Sequence, residues 1–194
     1  NCCTKPASDP AYIAENVLNR EFKSDKPNEK WLTDVSEFKY GTGDDKKKGK
    51  IYLSVILDLC GKRPVAYEYS DHNNNPLVFN IFDKALAANP GATPLFHSDR
   101  GYQYTSKTFR QKIIDAGMNQ SMSRVARCID NGPMEGFWGI MKREMYYGKK
   151  YKTKDELIKA IEEYIDYYTN KRVQRNLCIL TPQEYYEKHL LEAA

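Results

Sequence analysis

Three carboxylates occupy distinctive local contexts in this chain. Asp34 lies in Lys30-Trp31-Leu32-Thr33-Asp34-Val35, Asp99 in Pro94-Leu95-Phe96-His97-Ser98-Asp99-Arg100-Gly101, and Glu135 in Asp130-Asn131-Gly132-Pro133-Met134-Glu135. Between Asp99 and Glu135 lie 35 residues. Three converging carboxylates can hold two divalent cations, and such a site supports in-line displacement at a phosphodiester without a protein nucleophile. Carboxylate oxygens suit hard cations such as Mg²⁺ and do not by themselves separate Mg²⁺ from Mn²⁺. No Walker loop, Rossmann glycine signature or serine or cysteine nucleophile motif accompanies them.

Each acid also has a bland explanation. Asp34 interrupts an apolar strand, where a carboxylate is costly to bury unless it is paired or binds metal; an exposed edge or a salt bridge would also account for it. Asp99 ends a strand, a usual place for ligand groups in α/β sheets, and a turn-forming aspartate serves equally well in isolation. Glu135 falls in the first turn of a helix, where it complements the helix dipole. Lys142 follows seven residues later on nearly the same face, away from the core positions Met134, Phe137, Met141 and Met145. A solvated lysine is the plain reading of that residue.

The elements that must position these groups follow from periodicity. Apolar runs at 30–40, 50–60 and 64–70 read as three strands joined by short turns, which suits an antiparallel meander. Asn75 as cap and Pro76 as first helical residue open a helix that Asn89-Pro90-Gly91 stops. A fourth strand at 94–98 leads into Asp99, a helix at 106–116 is capped by Ser106, and 118–123 reads as a fifth strand. Pro133 opens a helix to about Tyr147. Thr153-Lys154-Asp155-Glu156 is a capping box before a stripe of Leu157, Ile158, Ile161, Tyr164, Ile165 and Tyr168. Residues 9–19 read as a short helix within a polar leader, 1–28. The core then spans 29–150 and a helical extension 151–194. The order β-β-β-α-β-α-β-α-α predicts a mixed α/β sheet flanked by helices.

Composition sets outer limits. The 194 residues are 41% hydrophobic with a net charge of +4, which fits a folded domain and permits a nucleic-acid partner without demanding one. No run of about 18 apolar residues predicts a membrane span, and no signal peptide is visible. The five cysteines are odd in number and include the adjacent Cys2-Cys3; a reduced, cytoplasmic setting fits better than a disulfide framework. His72, His97 and His189 show no zinc spacing, so no zinc site is expected. The chain begins at Asn1 rather than Met and reads as a fragment or a processed chain.

With these residues in view, the chain resembles the DDE transposase and retroviral-integrase superfamily. It is most similar to the integrase core of transposases of insertion-sequence family 3. The matching stretches are Lys30–Val35, His97–Tyr104, and Gln120–Arg124 through Cys128–Glu135 into Phe137-Trp138 and Lys142. Tyr164–Gln174 and Leu180–Tyr185 match as well. The resemblance implies a ribonuclease H-like fold with a five-stranded mixed sheet. It implies that Asp34, Asp99 and Glu135 form the catalytic triad and bind two Mg²⁺ or Mn²⁺ ions. It implies that Lys142 contacts a DNA end. Arg100 and, in the basic and aromatic tail Tyr164–Arg175, Arg172 are further candidate DNA contacts, although packing of an amphipathic helix explains the tyrosines of that tail equally well. It also implies DNA partners (element ends and target), homo-oligomers of which a dimer is the simplest, and a bacterial, nucleoid-associated location. Full-length relatives carry an N-terminal helix-turn-helix region that nothing before Asn28 matches. A ribonuclease H-type or structure-specific nuclease, and a non-catalytic DNA-binding remnant, are the alternatives. Trp31 and Trp138 read as core residues, Asn131 and Gly132 as the helix entry, and Lys46-Lys47-Lys48 equally as a solvated turn or a phosphate contact.

Overall fold

The computed structural model describes residues 10–41, 48–125 and 127–192. Cys2, Cys3, Lys46 and Lys47 lie outside them. Five strands, β1 (Lys30–Tyr40), β2 (Gly49–Asp58), β3 (Arg63–Ser70), β4 (Leu95–Ser98) and β5 (Asn119–Met122), form one sheet in the order β3-β2-β1-β4-β5. The first three are antiparallel, while β4 runs parallel to β1 and to β5. Among the described residues five α-helices accompany them: α1 (Asn75–Ala88), α2 (Lys107–Asp115), α3 (Gly132–Met141), α4 (Lys154–Asn170) and α5 (Pro182–Glu192). The five strands and helices α1, α2 and α4 are those expected from the sequence.

Strand alternation divides the core into two layers. Leu32 and Phe38 of β1, with Leu53, Val55 and Leu57 of β2, pack against Met134, Phe137, Trp138 and Met141 of α3 and Leu157, Ile161 and Tyr168 of α4. On the other face, Trp31 and Val35 of β1, with Ile56 of β2, meet Leu77, Ile81 and Phe82 of α1 and Phe109 and Ile113 of α2. Phe82 sits edge-on to both Phe96 and Phe109. Asp34 is in step with Leu32 and Phe38, so it belongs to the α3 face. Among the described residues no helix is long and apolar enough to cross a membrane.

Four local expectations need correction. Residues 10–19 form no helix. Ala14 and Leu18 are buried, and the segment runs extended beside β5: the Met122 amide donates to the Glu15 carbonyl at 3.2 Å, and the Leu18 amide to Ser121 Oγ at 3.0 Å. Packing here overrides local propensity. The cap of α1 is Asn74, whose side chain accepts from the Leu77 amide, rather than Asn75. The helix from Pro133 does not run unbroken to Tyr147; α3 passes at Lys142 into a π-helical turn, Lys142–Tyr146. Helix α5 was not foreseen, although Thr181-Pro182-Gln183-Glu184 opens it as a capping box. Thr181 Oγ1 accepts from the Glu184 amide at 3.2 Å and Glu184 Oε2 accepts from the Thr181 amide at 2.8 Å, as such a box requires. Gly61, at φ +74°, turns β2 into β3 so close to α5 that a Cβ there would lie 2.8 Å from the Pro182 carbonyl oxygen.

Phe82→Ala should remove about 3–5 kcal/mol of stability, the usual cost of emptying a buried phenylalanine site. Asn74→Ala should remove about 1 kcal/mol as a lost cap. Urea unfolding of the two variants beside wild type measures both.

Candidate active site

The parallel pairing of β1 with β4 brings the two aspartates together. Leu32 is level with His97 in that ladder, and Asp34 and Asp99 each follow two residues later, beyond the same end of the paired stretch. Asp34 is half-buried on the central strand and accepts a hydrogen bond from Trp138 Nε1 of α3 at 3.0 Å. Its carboxyl is pushed up to about 7 by burial first and then by the Asp99 charge. The Val35 amide and Trp138 pull it down, and Glu135 adds a smaller upward push. The three acids therefore share one electrostatic neighbourhood, with Asp99 nearer to Asp34 in effect than Glu135.

Asp99 is shaped by its own turn: the Gly101 amide donates to its Oδ1 at 2.9 Å. Behind it, His97 is fully buried, with Nδ1 2.9 Å from Ser121 Oγ and Nε2 3.1 Å from Ser123 Oγ. Burial pushes His97 down to about 4, so it is neutral near pH 7 and joins β4 to β5 as a hydrogen-bonded core group. The Ser123 amide donates to the Ser98 carbonyl at 2.9 Å, and Arg100 Nε donates to the Ser123 carbonyl at 2.8 Å. Tyr104 is buried beneath, its hydroxyl 3.3 Å from Thr33 Oγ1. Burial, with the Asp99 charge second, pushes its phenol well above the usual range.

Glu135 is exposed on the first turn of α3. Asn131, the residue before that helix, makes no side-chain cap. Its Nδ2 instead donates to the Thr33 carbonyl at 3.1 Å, fastening the helix start to the residue beside Asp34. Asp130 is fully buried and ion-paired to Arg124 and Arg20. Arg124 foremost, with Arg20, holds its carboxyl far below the ordinary carboxylate range.

The other candidates have partners of their own. Lys142 Nζ lies 5.2 Å from the centre of the Phe38 ring, within cation–π range. Arg172 is locked in a fork with Glu144, at 2.7–3.0 Å from its two oxygens, and the Tyr164 hydroxyl donates to the same carboxylate at 3.0 Å. That fork ties the π-helical turn to the end of α4, so Arg172 is already committed to a structural contact. Sequence reasoning gave Trp138 only a packing role, and it assigned nothing to Asp130, His97 or Tyr104. The adjacency of Asp130 to Asn131 was the available signal.

The donor set suits a divalent cation at the two aspartates, because a cation between them would offset both the burial cost and the mutual repulsion. Among the described residues, no three His, Cys, Asp or Glu side chains converge tightly enough to ligate one ion together. Asp34 and Asp99 are thus the inner pair, with Glu135 at the rim.

A five-stranded mixed sheet in this order, with one acid on β1 and another just after the parallel β4, defines a ribonuclease H-like fold. Integrase core domain models match residues 24–128 and 135–190. An uncharacterized transposase-like protein of Haemophilus influenzae is 41% identical over 174 residues, covering 90% of this chain and 78% of that protein. The putative transposase InsK of insertion sequence element IS150 from Escherichia coli is 39% identical, covering 89% of this chain and 59% of its own length. A chain of the simian T-cell lymphotropic virus intasome, solved in complex with PP2A regulatory subunit B56 gamma, superimposes at TM-score 0.68 with 17% identity, covering 95% of this chain and 62% of that one. The HTLV-2 integrase catalytic core domain in complex with magnesium gives 0.61 with 19% identity, over 83% of this chain and 97% of that one. The chain belongs to the integrase core domain family, and within it is the core of a DDE-type transposase of the insertion-sequence family 3 kind.

An acid favoured as neutral in the folded chain contributes stability that is complete below its unfolded pKa, near 3.9, and is lost as pH rises through its folded value, about 7. Asp34→Asn should therefore raise metal-free stability by a few kcal/mol at pH 8 and by much less at pH 4. Chemical denaturation at the two pH values tests the sign; equal effects at both would contradict it.

Proposed function

We propose that Asp34, Asp99 and Glu135 are the catalytic acids of a DNA strand-transferring enzyme and hold two Mg²⁺ or Mn²⁺ ions. The observation that carries this reading is geometric: the parallel β1–β4 pairing brings Asp34 and Asp99 to the same end of neighbouring strands, and Trp138 ties the helix bearing Glu135 to Asp34, in a chain of the integrase core family. When bound, such cations activate the attacking oxygen, from water or a DNA 3′-hydroxyl, and stabilise the leaving oxygen of the phosphodiester.

The remaining work falls to the chain itself. Trp138 holds the Asp34 carboxylate through its indole N–H, and the Val35 amide hydrogen-bonds the same group. The Gly101 amide fixes one oxygen of Asp99 in the same way. Glu135, at the exposed start of α3, completes the acidic set from the solvent side, where a DNA strand must enter. Lys142 would leave the Phe38 ring for a DNA phosphate, a contact worth more to a cation than an aromatic face. Arg100, half-exposed beside Asp99, is a second phosphate contact. Arg172 acts through Glu144 rather than on DNA.

The substrates in this reading are element ends and target DNA, handled by a dimer or larger homo-oligomer in the bacterial cytoplasm. The HTLV-2 core has been solved in dimeric and trimeric forms, which supports self-association for this chain. The unit that performs the chemistry is residues 29–150, with 151–194 as a helical extension that shares its core.

With Mg²⁺ and a branched oligonucleotide, the chain should cleave and join strands. Asp34→Asn, Asp99→Asn and Glu135→Gln should each lower the rate by on the order of 10³-fold while DNA binding persists. Cleavage without joining would point to a nuclease. Activity that survives Asp99→Asn would overturn the triad.

A further inference from the structure

The buried Asp130 carboxylate accepts five hydrogen bonds from two separate stretches of chain and joins them to a third. The extended leader supplies Asn16 Nδ2 at 3.1 Å and Arg20 Nε at 2.7 Å. The loop after β5 supplies Arg124 through its backbone amide at 3.0 Å and through Nε and an Nη, both at 2.8 Å. The third stretch is the short 3-10 turn, Cys128–Asn131, that holds Asp130 itself and runs straight into α3. A carboxylate with no exposed surface persists only when its oxygens are paired and hydrogen-bonded in this way.

What lies one residue to either side makes this clasp more than a local tie. Ser123, next to Arg124, donates its amide to the Ser98 carbonyl beside Asp99 and accepts from Arg100. Asn131, next to Asp130, donates to the Thr33 carbonyl beside Asp34. Helix α3, which starts immediately afterwards, carries Glu135 and also Trp138, the donor to Asp34. The supports of the three acids are therefore linked through Asp130 and its partner Arg124.

We propose that Asp130 is a positioning residue for metal-dependent strand transfer, and that it works by fastening the leader and the Arg124 loop to the helix that carries Glu135 and Trp138. The inference rests on the catalytic reading above. It gives the leader a role distinct from that of a linker: Asn16 and Arg20 supply two of the five hydrogen bonds that hold the site.

The test compares wild type with Asp130→Asn and Arg20→Ala in the full chain. Asp130→Asn keeps the shape and removes the charge; Arg20→Ala leaves the helix start intact and removes one donor, so it serves where Asp130→Asn fails to fold. Three readouts are taken: strand transfer on a branched oligonucleotide, DNA affinity, and the Mn²⁺ concentration that half-quenches tryptophan fluorescence. Misplaced ligands behind an intact fold should lower the turnover rate and weaken Mn²⁺ binding by about 10- to 100-fold, the range for residues that orient ligands, with DNA affinity within about twofold of wild type. Arg20→Ala should show the same pattern to a smaller extent. An active wild type whose Asp130→Asn form keeps its turnover and its Mn²⁺ midpoint overturns the inference alone. So does a loss of activity that tracks only the fraction unfolded, with the Mn²⁺ midpoint of the folded fraction unchanged. A wild type that neither transfers strands nor binds Mn²⁺ overturns the catalytic reading and the inference with it.

Discussion

The structure depends on one costly placement: the Asp34 carboxylate on the middle strand of the sheet, beside Asp99 and near Glu135. Like charges in a partly dehydrated setting oppose folding, and the Asp34 carboxyl accordingly sits near 7 rather than near 4. Nothing in the packing requires an acid there. A leucine at that position would extend the apolar face formed by Leu32 and Phe38. A divalent cation, as proposed for this site, would offset both the burial and the repulsion, and the surrounding hydrogen bonds are the means of holding the acids in place.

Those means come from all parts of the fold. The parallel β1–β4 pairing brings Asp34 and Asp99 to the same end of neighbouring strands. Buried His97, neutral and bonded to two serines, binds β4 to β5 behind Asp99. Helix α3 reaches back with Trp138 to Asp34, and its start is held by Asn131 and by the Asp130 clasp. Beyond α3, the π-helical turn is fixed at both sides. Its Tyr146 hydroxyl hydrogen-bonds the Lys39 backbone, and its Glu144 grips Arg172. Helix α3 is thus anchored at both ends, which is what a helix bearing one acid of a shared site needs.

Much of this was legible in the residues. The strands and most helices followed from apolar period and caps, since those signals are local. Asp34 stood out because a carboxylate in an apolar strand violates the pattern around it. What could not be read was set by tertiary packing. Residues 10–19 favour a helix locally, yet Leu18 and Ala14 find their burial beside β5 only when extended. Arg172 looked like a DNA contact from its basic and aromatic neighbours, and its pairing with Glu144, 28 residues away, has no local signature. Asp130 was hidden by its company: next to Asn131-Gly132-Pro133 it reads as a turn residue, and its partners Arg20 and Arg124 come from distant stretches. The capping box of α5 was visible in Thr181–Glu184, and its residues were noticed only as part of a family resemblance.

The most direct test of the account is to locate bound Mn²⁺ by its anomalous scattering in crystals of the protein. The account predicts manganese held by Asp34 and Asp99 at the end of the acidic set that Glu135 completes. Manganese found away from those carboxylates, with Asp34 and Asp99 unligated at saturating concentration, would contradict it.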